Sequence, residues 1–174
     1  PRLDYIASIK LSNYGMNKLA EYFSWFISAI KMKNKKCIVL DADNTLWGGI
    51  VGEDGFNGIK LGNTKEGKPF TDFQKHLLNL SYQGIILCID SKNNYEDVLE
   101  VIDKHPYMVL RRENFTDLKI NWNDKAQNLK EIQEELDIGM DSIVFIDDNP
   151  VERERIKSTF PEVEVPDFPE DPAY

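Results

Sequence analysis

The stretch Cys37-Ile38-Val39-Leu40-Asp41-Ala42-Asp43-Asn44-Thr45-Leu46 limits what this chain can fold into more than any other. A continuous apolar run that stops at two carboxylates, two residues apart, reads as a strand buried on both faces. Asp41 and Asp43 then stand at its carboxyl end, the edge of an open α/β sheet where ligands bind. A second run, Ser142-Ile143-Val144-Phe145-Ile146, stops the same way in Asp147-Asp148-Asn149-Pro150. If both strands lie parallel in one sheet, four carboxylates meet at one edge.

Like charges that close raise each other's pKa and repel in a partly desolvated cleft, so the cluster calls for a cation. Hard oxygen ligands with no His or Cys beside them point to Mg2+, which takes one or two carboxylates, keeps waters and leaves room for a substrate phosphate. Charge elsewhere narrows the partners. A net charge of -9 over 174 residues argues against phosphate-backbone binding to nucleic acid and against attraction to anionic membranes. A small anionic phosphorylated substrate would need local positive groups. Cys37 and Cys88 sit inside apolar runs, where a cysteine is a small buried hydrophobe, as expected of a cytoplasmic protein. No signal peptide or spanning helix is visible. The chain opens at Pro1 without a Met, as a piece of a longer protein or a processed chain would.

Three segments are expected: an N-terminal helical segment over 1–35, a catalytic domain over 36–166 and a proline-rich tail over 167–174. In the first, Leu19, Tyr22, Phe23, Phe26, Ile27 and Ile30 repeat at helical spacing. After the first strand, the glycine-rich stretch from Leu46 to Gly55 is too irregular for a helix and reads as turns and a small flap. Only about 25 residues separate Asp43 from the next helical pattern, too few for a cap domain. A helix over 70–82 places Phe73, Leu77, Leu78 and Tyr82 on its inner side, and Gly84 stops it. A strand over 85–89 delivers Asp90, Ser91 and Lys92 to the edge that holds Asp41. A helix with Val98, Val101 and Ile102 inward follows, then a third strand at Met108-Val109-Leu110 ending in Arg111-Arg112, a candidate substrate-anion site. Residues 123–136 form the clearest helix, capped by Asn123 or Asp124, with Lys125 in its first turn. A cation there is unfavourable to the helix dipole, and such misfits mark sites. A last helix carries Glu152 to Arg155, and a short strand covers 163–165. Alternating strands and helices give a parallel, doubly wound α/β sheet.

These residues resemble the haloacid dehalogenase (HAD) phosphatase superfamily. Asp41-Ala42-Asp43-Asn44-Thr45 matches its D-x-D-x-T signature, with Ser91 after the second strand, Lys125 at a helix start and Asp147-Asp148 for the acidic fourth motif. The resemblance implies that Asp41 attacks phosphorus, while Asp43 protonates the leaving oxygen and then activates water. It places Mg2+ on the Asp41 carboxylate, the Asp43 backbone carbonyl and Asp147, with Asp148 binding directly or through water. Ser91 and Lys125 take the phosphoryl oxygens. Residues i and i+2 leaving a strand suit that division of labour.

From about Lys36 to Ala173 the chain resembles one branch more narrowly. DADNTLWGGIVGEDG at 41–55, Ser91-Lys92-Asn93, Asn121-Trp122 with Lys125-Ala126, and FIDDNPVERE at 145–154 look like FkbH-like domains of polyketide synthases. Members of that branch are understood to take the glyceryl group of 1,3-bisphosphoglycerate, remove the phosphate and load an acyl carrier protein, with lactyl starters in some relatives. Their Cys-Ser-Lys-Asn acceptor motif reads Asp90-Ser91-Lys92-Asn93 here. A carboxylate would give a hydrolysable anhydride in place of a thioester, so acyl transfer is expected to be impaired and phosphatase chemistry kept. Asp90 could bind a cation, repel substrate or be protonated. Lys92, Asn93, Arg111 and Arg112 are candidate substrate-binding residues, and Lys92, Arg111, Arg112 and Lys119 a candidate docking patch for the carrier. The other readings are a plain phosphatase acting on a small molecule or phosphoprotein, and a catalytically silent docking domain.

Overall fold

The computed structural model describes residues 35–168, and the helix expected before residue 34 and the tail from 169 lie outside them. Four strands form one parallel sheet: β1 (Cys37–Leu40), β2 (Ile86–Ser91), β3 (Asp117–Ile120) and β4 (Ile143–Ile146). Their order across the sheet is β3-β2-β1-β4. The helices are α1 (Val51–Asp54), α2 (Lys68–Tyr82), α3 (Tyr95–Lys104), α4 (Lys125–Leu136) and α5 (Pro150–Thr159). The chain runs outward from β1 through β2 to β3, then crosses back to place β4 on the other side of β1. That reversal opens a crevice at the carboxyl ends of β1 and β4, the topological switch point of a doubly wound fold.

Every residue of β1 and β4 is buried, which is why both read as unbroken apolar runs. On one face Cys37, Val39, Cys88, Ile143 and Phe145 pack with Ala126, Leu129 and Ile132 of α4 and Ile156 of α5. Cys37 and Cys88 are free thiols inside this layer, and the hydrogen bond between them, then burial, push the Cys37 thiol well up. Alternation along the strands turns Ile38, Leu40, Leu87 and Ile89 to the opposite face, where the buried sides of α2 and α3 lie. No described helix is long and apolar enough to cross a membrane.

Several local expectations need correction. The third strand is Asp117–Ile120 and not Met108–Leu110. The backbone N–H groups of Val109 and Leu110 go to the side chain of Gln74 on α2, at 2.8 and 3.2 Å, so they cannot pair in a ladder. Gln74 is fully buried, and its amide also donates to the carbonyl of Leu46 at 2.7 Å. The buried side of α2 is accordingly Phe70, Thr71, Gln74 and Leu77, while Tyr82 is 77% exposed. The flap is not wholly irregular, since α1 gives it one helical turn. Residues 163–165 meet β4 through the single parallel bridge Val144–Glu164. Between β1 and α2 the described residues hold only this flap, with no cap domain.

Candidate active site

Ladder bonding continues past β1, because the N–H of Asp41 donates to the carbonyl of Ile146 at 2.9 Å. This bond sets Asp41 beside the end of β4, where Asp147 and Asp148 follow. Asp41, Asp147 and Asp148 each offer an oxygen, and these oxygens lie within 4.8 Å of one another. Asp147 is fully buried and Asp41 nearly so. Lys125 is buried as well, and its Nζ lies 3.0 Å from Asp41 and 2.6 Å from Asp147.

The position of Lys125 follows from its helix start. The Asp124 side chain accepts from the Ala126 N–H at 2.9 Å and caps α4, and Arg155 of α5 pairs with the same carboxylate. The first residue of α4 is thereby aimed across the switch point. On the opposite side Asn149 caps α5, and its own N–H donates to Asp147 at 2.8 Å. Arg153 donates to the carbonyls of Asp147 and Asp148 at 2.8 and 2.6 Å, which fixes the loop that carries both acids.

Burial and the neighbouring Asp41 raise the pKa of Asp147, and the same causes push Asp148 up to about 6. Burial works against the charged form of Lys125, but Asp41 and Asp147 outweigh it and hold the ammonium above its ordinary pKa. Three carboxylates against one ammonium leave two negative charges in a hard-oxygen pocket, a donor set that fits a small divalent cation of the Mg2+ type.

The Asp43 side chain is not part of this cluster. Its Oδ1 accepts from Trp47 Nε1 at 2.8 Å and from the Val51 N–H at 3.0 Å, and its Oδ2 accepts from Asn93 Nδ2 at 2.7 Å. Burial raises its pKa, and the three donors oppose that rise. Any metal contact expected of Asp43 is thus left to its backbone carbonyl. Ser91 ends β2, buried, and its carbonyl accepts from the Asn121 N–H at 3.1 Å. Asp90 is fully buried; its Oδ1 accepts from Asn128 Nδ2 at 2.8 Å, and its Oδ2 has no hydrogen-bond partner among the described residues. Burial pushes Asp90 up to about 8, against the Asn128 bond and the Lys125 charge.

Each of the four residues expected to meet substrate already has a protein partner. Asn93 holds Asp43. Lys92 pairs with Glu152 of α5 at 2.7 Å. Arg111 donates to the carbonyls of Ile102 and His105 at 2.8 and 3.2 Å, neutralising the C-terminal end of α3, and Arg112 pairs with Asp103. With no strand at Met108–Leu110 to close, the two arginines have no reason to face the sheet edge. Lys119, the remaining candidate for the docking patch, lies among Glu135, Glu131 and Asp117 at 2.6, 3.7 and 3.4 Å. Sequence reasoning missed Trp47, Gln74 and Asn128. The available signal for the last was an amide within the apolar stripe of α4, where only a buried partner would justify it.

Residues 36–172 match the family model of NLI interacting factor-like phosphatases. No curated protein matches the chain. Among solved structures, the chain is similar to the N-terminal part of the protein BF1531 from Bacteroides fragilis, which contains a phosphatase domain and is complexed with Mg. The two are 41% identical with a TM-score of 0.79, over 98% of this chain and 46% of that one, so this chain spans just under half of that N-terminal part. A HAD family enzyme from Bacteroides thetaiotaomicron, in complex with magnesium and inorganic phosphate, is 14% identical with a TM-score of 0.53 over 79% of this chain and 95% of its own, a likeness of fold.

Proposed function

The chain belongs to the NLI interacting factor-like phosphatase family, and we propose from that premise that it is a Mg2+-dependent phosphatase working through an aspartyl phosphate. The observation that carries this reading is the meeting of Asp41, Asp147 and Lys125 at the switch point, with Lys125 within 3.0 Å of both acids. Asp41 is the nucleophile: one oxygen attacks phosphorus while the leaving oxygen departs on the far side. Asp43, two residues on and turned toward the flap, gives that oxygen its proton and then takes one from the water that opens the phosphoenzyme. Lys125 and Ser91 hold phosphoryl oxygens, and Lys125, 3.0 Å from Asp41, keeps that carboxylate aimed. Mg2+, held by Asp41, Asp147, Asp148 and the Asp43 carbonyl, supplies charge compensation for the transferred group. The related Bacteroides fragilis domain, complexed with Mg, supports the choice of ion.

The finer reading follows the FkbH-like resemblance. The substrate is 1,3-bisphosphoglycerate or a similar three-carbon acyl phosphate, and the acyl group is destined for an acyl carrier protein in polyketide biosynthesis. The flap without a cap suits a bulky partner. At the acceptor position, Asp90 is closed off from solvent and bonded to Asn128, which favours a domain that keeps phosphate removal and has lost acyl capture. The test is incubation with 1,3-bisphosphoglycerate, Mg2+ and a pantetheinylated carrier, with phosphate release assayed and both proteins weighed. Mg2+-dependent phosphate release with no added mass on the carrier is expected. No release refutes the phosphatase, and a loaded carrier refutes the loss of transfer.

A further inference from the structure

We infer that Trp47 and Asn93 are positioning residues that select one oxygen of Asp43, Oδ2, as the atom that hands over and takes back the proton. The inference rests on the aspartyl-phosphatase reading above and adds two residues to it. A carboxylate oxygen offers two acceptor positions. Both positions of Oδ1 are filled by N–H donors, Trp47 Nε1 at 2.8 Å and the Val51 backbone at 3.0 Å. No room is left there for a proton. Among the described residues Oδ2 receives a single donor, Asn93 Nδ2 at 2.7 Å, and keeps its second position for the proton that moves.

The donors are themselves held. Asn93 Oδ1 accepts from the Asn94 N–H at 3.0 Å, so the backbone decides which end of the amide meets Asp43. Trp47 is fully buried, and the backbone is pinned on both sides of it. Before it, the Leu46 carbonyl takes the buried Gln74 amide at 2.7 Å. After it, Gly48 and Lys60 exchange two backbone bonds of 3.0 and 2.7 Å. The Gly48 position also lies against the Phe70 ring, where an added Cβ would come within 2.7 Å. The indole is thus a fixed strut between the flap and the acid.

The proton balance is closed. As the Asp41 oxygen bonds to phosphorus and the ester P–O bond breaks, the proton on Oδ2 passes to the departing oxygen. In the second step Oδ2 takes a proton from water as the water oxygen bonds to phosphorus and the Asp41–phosphorus bond breaks. Each turnover leaves Asp43 as it began. A fixed acid matters most when the departing group is a poor one, such as an alkoxide, and least when it is an acidic phenolate.

That difference separates positioning from mere structure. Trp47→Phe keeps the ring and deletes the donor, and Asn93→Ala deletes the other. Both are compared with the unaltered protein in Mg2+ by kcat/KM on β-glycerophosphate and on p-nitrophenyl phosphate, with thermal unfolding checked in parallel. Each variant is expected to lose roughly ten-fold or more on the alkyl ester beyond its loss on the aryl ester. Equal losses on the two esters overturn the inference. A second readout does not need turnover: the Trp47 indole N–H resonance, assigned by its absence in Trp47→Phe, moves upfield in Asp43→Ala if the bond exists, and an unmoved resonance overturns the clamp. If the unaltered protein hydrolyses neither ester and releases no phosphate from 1,3-bisphosphoglycerate, the phosphatase reading and the proton-transfer role fail together, while the indole resonance still decides the contact.

Discussion

Two halves of the same sheet edge treat their carboxylates in opposite ways. At the ends of β1 and β4, Asp41 and Asp147 share the Lys125 ammonium at 3.0 and 2.6 Å. At the end of β2, Asp90 is equally buried but faces the neutral amide of Asn128, which also donates to Asn121 Oδ1 at 3.1 Å. The first half is built to hold charge, with a cation facing the acids. The second is not, and burial pushes Asp90 up to about 8. Position at a strand end does not decide whether an aspartate is a charged ligand or a neutral hydrogen-bonding group; the side chain opposite it does.

The largest expected effect falls on the charged half. Asp41→Asn removes the proposed nucleophile, and Mg2+-dependent phosphate release should drop by about a thousand-fold or more. Persisting turnover would mean that the two halves do not differ as described. Next, Lys125→Met leaves Asp41 and Asp147 without their cation. Denaturant unfolding in the absence of metal at neutral pH should register a loss of about 3–5 kcal/mol, as for one partner of a buried ion pair removed.

Asp90→Asn sharpens the contrast through pH. The folded pKa of about 8 lies above the ordinary carboxylate value, so the neutral form is favoured in the folded state. The associated stability is fully present below about pH 4 and is lost as the pH rises toward 8, by up to about 1.4 kcal/mol per unit. Asp90→Asn keeps the shape and cannot ionise, so between pH 5 and pH 8 it should lose less stability than the unaltered protein in paired denaturation curves. Parallel curves would place Asp90 among the charged acids. The smallest effect is at the rim: Lys92→Ala breaks a partly exposed pair with Glu152 and should cost less than about 1 kcal/mol.

The same contrast governs what could be read from sequence. β1 and β4 are buried on both faces and announce themselves as apolar runs that end in acids. β3 is an edge strand with Asp117 and Lys119 in it, and its alternation hides it among charged neighbours. Met108-Val109-Leu110 has the composition of a strand, but a glutamine side chain takes the N–H groups of Val109 and Leu110. In the candidate site, the convergence of Asp41, Lys125, Asp147 and Asp148 was legible because motif order along the chain carries them. The partners that set their behaviour were not. Asn128 meets Asp90 across 38 residues and Asn93 meets Asp43 across 50, and a single side-chain hydrogen bond over such a separation leaves no periodic trace.

The central claim is that Asp41 becomes phosphorylated beside Lys125 and the acids of β4. Its most direct test is intact-mass analysis of the Asp43→Asn variant after exposure to acetyl phosphate and Mg2+, followed by peptide mapping. The account predicts one phosphoryl group, on the peptide that contains Asp41 and lost on adding Asp41→Asn; a phosphoryl group on another residue, or one that survives that second substitution, would contradict it.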